Sequence, residues 1–103
     1  MKPIMINFTD SLGKTTKTYS ACSIKTGTMD LIFDMAERVE AYQQGGLDIR
    51  LAKSFFNDLK AIIVEVFGGQ FSFDELNKNV EQGEIMKVFK ELCANVTGEI
   101  TKK

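Results

Sequence analysis

The stretch that decides the fold is residues 51–67, which read LAKSFFNDLKAIIVEVF. At 100° of rotation per residue, nine apolar side chains of this stretch fall within about half of a helical circumference. Lys53, Asn57, Lys60 and Glu65 lie outside that half. We therefore predict an amphipathic helix that forms the core of the domain. Its apolar face comprises Leu51, Ala52, Phe55, Phe56, Leu59, Ile62, Ile63, Val66 and Phe67.

The residues flanking this helix predict where it begins and ends. Leu47 and Asp48 are typical of a hydrophobic staple followed by an N-cap. The pair Gly68-Gly69 follows the last apolar residue, and glycine is the usual residue at a helix stop because it adopts positive φ without strain. The core helix is therefore expected to occupy residues 48–67.

Two further helices are predicted after the glycine pair. Ser72 is followed three residues later by Glu75, which is a capping box and predicts a short helix over residues 73–79. A last helix over residues 84–95 presents one apolar face. We expect residues 97–103 to be a frayed tail. The apolar face of the last helix consists of Ile85, Val88, Phe89, Leu92 and Val96.

One helix is predicted before the core helix. Residues 26–28, Thr-Gly-Thr, offer an N-cap, and residues 43–46, Gln-Gln-Gly-Gly, offer a stop. Between them, apolar residues recur with helical spacing on one side, opposite Asp30, Asp34 and Glu37. The apolar side consists of Leu31, Ile32, Met35, Ala36, Val39 and Tyr42.

The first quarter of the chain predicts β-structure. Ile4, Ile6 and Phe8 alternate with other residues, a second strand is expected over residues 18–24, and residues 9–14 have the composition of a turn. The fold class is therefore α+β and mostly α: an N-terminal β-hairpin followed by about four helices in a small bundle. We predict a single domain, 1–103, with residues 1–25 as a hairpin or mobile arm and 26–96 as the helical core.

Composition excludes several function classes. The chain has no histidine, so it lacks the usual acid–base group at neutral pH, and no spacing fits a metal or phosphate site. We expect no enzyme activity, no cofactor and no metal. Cys22 and Cys93 are expected to be buried free thiols.

Charge and hydropathy bear on the partners and the compartment. Residues 26–101 contain seven basic and thirteen acidic side chains, so a surface for nucleic acid is not expected there. No apolar run approaches the roughly 18 residues that a membrane span needs. We predict a soluble intracellular protein that binds neither nucleic acid nor membrane.

Residues 66–76, VFGGQFSFDEL, carry a resemblance to a known family. The chain resembles the tail assembly chaperones of long-tailed phages and prophages of Gram-positive bacteria. In that family a similar segment follows the second long helix. Gly13-Lys14 with Thr18-Tyr19 fits the front of the family pattern, and the helix near 84–96 fits its end. A typical relative has an Asp-Gly pair soon after the Asp-Glu. This chain instead has Asn-Lys-Asn at residues 77–79, so the resemblance does not predict the conformation of this loop.

The resemblance implies a function in tail assembly. Such a chaperone binds and shields the tape measure protein, helps recruit tail tube subunits, acts in several copies in the host bacterial cytoplasm and is absent from the mature virion. It also implies weak homo-oligomers. The competing interpretation is a structural tail or head–tail connector subunit that is retained in the virion. The third interpretation is a compact regulator. It is not favoured, because no helix has the clustered Lys and Arg expected of a helix that contacts the DNA backbone.

Four residues are candidates for partner binding. Phe71 and Phe73 lie in the segment that carries the resemblance, and each is expected either to pack the corner between helices or also to contact a client. Val64 points to the polar side of the core helix. Met86 has a flexible side chain that suits an adaptable surface, although a core position is the competing interpretation.

Overall fold

The structure is a computed structural model that describes residues 3–46 and 48–101, with side chains described as far as Thr97. Two antiparallel strands, β1 (Ile4–Thr9) and β2 (Thr15–Ala21), come first. Four helices follow: α1 (Thr26–Gly45), α2 (Ile49–Val66), α3 (Phe73–Asn79) and α4 (Gln82–Thr101). The predicted fold class, a β-hairpin followed by four helices, is confirmed.

The hairpin turn is built from residues 10–14. The Asp10 carboxylate accepts from the backbone N–H groups of Leu12 (2.9 Å) and Lys14 (3.0 Å), and Gly13 adopts a φ of 81°. This turn pairs Thr9 with Thr15, so β2 starts directly after it. The prediction of a second strand over residues 18–24 is therefore wrong in its bounds, because the strand begins and ends three residues earlier, at Thr15 and Ala21.

The hairpin packs against the helices through β1. Ile4, Ile6 and Phe8 are buried, as their alternation predicts. The outer edge of β1 is also held, because the backbone N–H of Asn7 donates to Glu84 Oε2 of α4 (2.9 Å). A two-stranded hairpin is marginal alone, and these contacts attach it to the helical part.

Helix α1 departs from the sequence-based prediction in two places. Its N-cap position is Lys25, without a side-chain cap, rather than a residue of the 26–28 segment, and Thr28 is instead buried. The sequence predicts Leu31 on the apolar face, but its side chain is 40% exposed. The buried face is centred on Ile32 and Met35, and Leu31 lies 100° from Ile32 at its margin.

Helix α2 begins and ends as predicted. The Asp48 carboxylate accepts from the Leu51 backbone N–H (2.8 Å), and Gly68 and Gly69 adopt positive φ after the helix. The Leu47 staple lies outside the described residues. Leu51 is 42% exposed, so the buried stretch of the predicted face starts at the next turn. Its buried members are Phe55, Leu59, Ile62, Ile63, Val66 and Phe67.

The predicted capping box of α3 is confirmed. Ser72 Oγ accepts from the Glu75 backbone N–H, and Glu75 Oε1 accepts from the Ser72 backbone N–H, both at 3.1 Å. Helix α4 is longer than predicted at both ends. Gly83 lies in its first turn, where backbone N–H groups have no intrahelical partner in any case. At the other end, the single Gly98 does not stop the helix, which reaches Thr101, while Lys102 and Lys103 lie outside the described residues.

An ion pair joins α1 to α2. Arg38 Nη1 lies 2.8 Å from Asp58 Oδ2, and the Arg38 guanidinium carbon lies 5.5 Å from the centroid of the Phe55 ring. The hydrogen bond to Asp58 raises the pKa of Arg38. Both side chains are partly exposed, so the pair contributes about 1 kcal/mol or less.

Candidate functional site: a groove between three helices

An open groove of about 260 Å³ lies where α2, α3 and the start of α4 meet. Leu76 and Ile85 are buried beneath it, whereas Phe56 and Val80 are only partly buried. The groove therefore has apolar surface that this chain leaves uncovered. It is lined by Phe56, Lys60, Leu76, Asn77, Val80, Gln82 and Ile85.

The spacing of residues on α2 explains the wall of the groove. Phe56, Lys60 and Val64 are four residues apart, so they follow one another along one stripe of the helix. The short helix α3 lies beside this stripe, and its capping box fixes where it starts. Val80 ends α3 in an extended conformation and leads the chain into α4.

Lys60 is held at the groove by contacts with α3. Its Nζ donates to Asn77 Oδ1 (2.7 Å) and lies 5.8 Å from the centroid of the Phe73 ring. Of the described lining residues, Lys60 alone carries a charge. The ion pairs among the described residues join Arg38 with Asp58 and Lys87 with Glu84, so none neutralises Lys60. The site is thus an apolar groove with one positioned ammonium group.

Phe73 is the predicted site residue that lies beside this groove, next to Lys60, but it does not line the groove itself. Its side chain is 36% exposed, and its ring contacts Lys60. Val64 lies one turn beyond Lys60 but is partly buried against the core, because α3 covers the side of α2 that looked polar in the sequence. Met86 follows Ile85 in α4 and is also partly buried against the core.

Phe71 lies elsewhere, in a cluster of aromatic rings. Its ring centroid is 5.0 Å from Phe8, 5.0 Å from Tyr19 and 5.5 Å from Phe67. The side chain is 2% exposed. Phe71 therefore joins the hairpin to the end of α2, and a client cannot reach its ring unless this corner opens.

Several groove residues were not singled out from the sequence. Phe56 was assigned to the apolar face and Lys60 to solvent, and no pattern in the chain connects either of them with Asn77 or Val80. The only available signal was the capping box, because it fixes Phe73 as the first residue of α3. The contacts to Lys60 cross from one helix to another, which sequence periodicity does not report.

The cysteines differ from their predicted burial. Cys22 is exposed and lies directly after the end of β2 at Ala21. Cys93 is partly buried, and burial raises the pKa of its thiol. In the part of the chain that the structure describes, no cluster of three potential metal-ligating side chains occurs. No helix within those residues is long and apolar enough to cross a membrane.

A family model described as "phage tail chaperone protein" matches residues 1–103. No curated protein and no solved structure matches the chain.

Proposed function

Because this chain belongs to the phage tail chaperone family, we propose that it binds and shields the tape measure protein and helps recruit tail tube subunits. The observation that carries the proposal is the family match over the whole chain, and the groove between α2, α3 and α4 supplies a surface for the client. Its described lining offers apolar side chains and a single charge, which suits a protein-binding role better than catalysis. We propose no enzymatic activity.

The size of the groove supports reversible binding. The groove is open and has a volume of about 260 Å³, so only a small part of a long client can enter it. Burying one apolar side chain contributes about 1.5–3 kcal/mol, and association itself costs several kcal/mol of translational and rotational freedom. A single copy would therefore bind weakly, and shielding of a long client requires many copies side by side.

Charge supports such an arrangement of copies. Residues 1–25 contain Lys2, Lys14, Lys17 and Lys25 against Asp10 alone, whereas residues 26–101 are acidic. Patches of opposite charge on one molecule favour head-to-tail contacts between copies, and such contacts do not close into a dimer. We propose weak homo-oligomers, detected as a rise in scattering mass with protein concentration at low salt. A strict monomer at millimolar concentration would contradict this part of the proposal.

The proposal is tested by co-expression with the tape measure protein encoded by the same phage. The wild-type chain should keep the tape measure protein soluble, and the substitutions Phe73→Ser and Val80→Ser should return part of it to the insoluble fraction. Leu12→Ser is the matched control, because Leu12 is an apolar residue 80% exposed at the hairpin turn and does not line the groove. Circular dichroism shows whether each variant is folded.

Two outcomes of this experiment are informative. A tape measure protein that is equally insoluble with and without the wild-type chain contradicts the proposed function. Equal effects of Leu12→Ser and of the two groove variants, all folded, contradict the groove as its location.

Mass spectrometry of purified particles separates a chaperone from a structural subunit. We propose that the chain acts in the bacterial cytoplasm and is absent from the virion, so its peptides should be missing from particles that contain tube and tape measure proteins. Stoichiometric recovery of the chain would favour the tail or head–tail connector subunit instead.

A further inference from the structure

We propose that the groove selects a client segment in which an apolar side chain lies near a carboxylate, and that Lys60 binds this carboxylate. The inference rests on the proposed function and names the chemistry of the client at the same site. The client segment is an amphipathic helix of the tape measure protein. Its apolar and acidic side chains are three or four residues apart, since that spacing places them on one face.

The first argument is that the Lys60 ammonium is already positioned. A free lysine side chain loses much rotamer freedom when it binds a partner. Here the Asn77 amide oxygen and the Phe73 ring hold Nζ in the unbound protein. An ammonium has three N–H donors, and Asn77 occupies one. Two donors are therefore left for a client carboxylate, without loss of the existing hydrogen bond.

The second argument is charge complementarity. The helical part of the chain has thirteen acidic and seven basic residues, yet the one charged residue among the described groove lining is basic. Phe56 and Val80 present apolar surface within the same groove. An apolar side chain alone would leave the ammonium partly desolvated without a counter-charge, which is unfavourable. A neighbouring carboxylate removes that penalty with a charge-assisted hydrogen bond.

A second copy of this chain fits the groove less well. Ile49 is 86% exposed and follows an acidic residue, but the Asp48 carboxylate already accepts from the Leu51 backbone N–H at 2.8 Å. Leu31 lies three residues before Asp34 on α1, but more than half of the Leu31 side chain is covered by its own fold. The tape measure protein is therefore the occupant to which we commit.

The test uses an overlapping set of synthetic 20-residue peptides that covers the tape measure protein of the same phage. Binding to the full chain is measured by fluorescence anisotropy. We expect the binding peptides to contain an apolar residue and Asp or Glu at the stated spacing. For these peptides Lys60→Gln should weaken binding by roughly tenfold or more, and Lys60→Arg should retain most of it. Lys53→Gln is the matched control, since Lys53 is an exposed lysine of α2 outside the groove lining.

A double-mutant cycle isolates the ion pair. Replacing the peptide carboxylate by its amide should weaken binding to the wild-type chain by the same factor as Lys60→Gln, with little further loss when both changes are combined. Wild-type binding should also weaken as salt is raised, and the Lys60→Gln protein should show less of this dependence.

Three results would overturn the inference. In the first, Lys60→Gln binds acidic and amide peptides as the wild type does while Val80→Ser does not, so the groove binds but does not select charge. In the second, no peptide binds although the full-length tape measure protein co-purifies, so the proposed function survives and this site is wrong. In the third, an excess of the Lys60→Gln chain, whose own groove does not bind the peptide, displaces the peptide from the wild-type chain, and the occupant is then a second copy. Within this peptide experiment, only failure to bind the tape measure protein in any form counts against the proposed function itself.

Discussion

The corner between α1 and α2 and the corner between α2 and α3 use the same local chemistry. Each ends a helix at glycine with positive φ: Gly46 at 85° in the first, and Gly68 at 65° followed by Gly69 at 74° in the second. Each then starts the next helix with a side-chain N-cap, Asp48 or Ser72. In sequence, both are a glycine pair followed by a capping residue.

The two corners differ in what packs on them. At the second corner Phe67 and Phe71 are 1% and 2% exposed, and the Gln70 side-chain amide donates to the Ser20 carbonyl oxygen of the hairpin (2.8 Å). The described residues of the first corner are exposed, and Ile49 directly after it is 86% exposed. At these two corners, local signals determine where the helix stops, whereas contacts with distant residues determine whether the corner is part of the core.

Phe71→Ala should give the largest difference between the corners. Its ring packs on Phe8, Tyr19 and Phe67, so truncation leaves a cavity between the hairpin and the end of α2. We expect the free energy of unfolding to fall by about 3–5 kcal/mol, measured by urea denaturation. A loss below about 1 kcal/mol would show that the hairpin is not fixed to the corner through this ring.

The glycines should give smaller and similar losses at both corners. A Cβ added at Gly46 or at Gly68 meets no atom within 4 Å, so Gly46→Ala and Gly68→Ala introduce no clash. An L-residue at positive φ costs about 1–2 kcal/mol at Gly68. It costs about 1–3 kcal/mol at Gly46, whose ψ of 164° lies in a region that essentially only glycine adopts. Gly45→Ala is the control, because Gly45 is the last residue of α1 and does not have positive φ, and it should be neutral or slightly stabilising. A much larger loss at Gly68 than at Gly46 would mean that this backbone position also depends on the surrounding packing.

The N-caps should come next in size. Asp48→Ala removes the acceptor for the Leu51 N–H, and Ser72→Ala removes the acceptor for the Glu75 N–H. We expect each to lower the free energy of unfolding by about 0.5–2 kcal/mol, again by urea denaturation. Ser72→Asp keeps a capping oxygen and should recover most of the loss at that corner.

The same contrast explains what the sequence predicted. The two glycine stops, the Asp48 cap and the Ser72–Glu75 box were predicted correctly, because each depends on residues within one turn of the chain. The register of β2, the exposure of Leu31 and the groove around Lys60 were not, because they depend on pairing or packing between distant segments. Phe73 was identified as a candidate through its place in a familiar segment, but its contact with Lys60 crosses from α3 to α2.

The smallest effect is expected at the exposed corner, from Ile49→Ser. The side chain is 86% exposed, so the substitution removes almost no buried apolar area and leaves no cavity. Serine is only slightly poorer than isoleucine in a helix, and the Asp48 cap is unchanged. The urea midpoint should therefore move by no more than the equivalent of about 0.5 kcal/mol. Leu59→Ala is the comparison on the same helix, because Leu59 is fully buried and its loss should reach about 2–5 kcal/mol. A loss above about 1 kcal/mol for Ile49→Ser, seen only at high protein concentration, would indicate that Ile49 is buried between copies of the chain. The same loss at every concentration would instead mean that the first corner is packed within the monomer, and the contrast between the two corners would not hold.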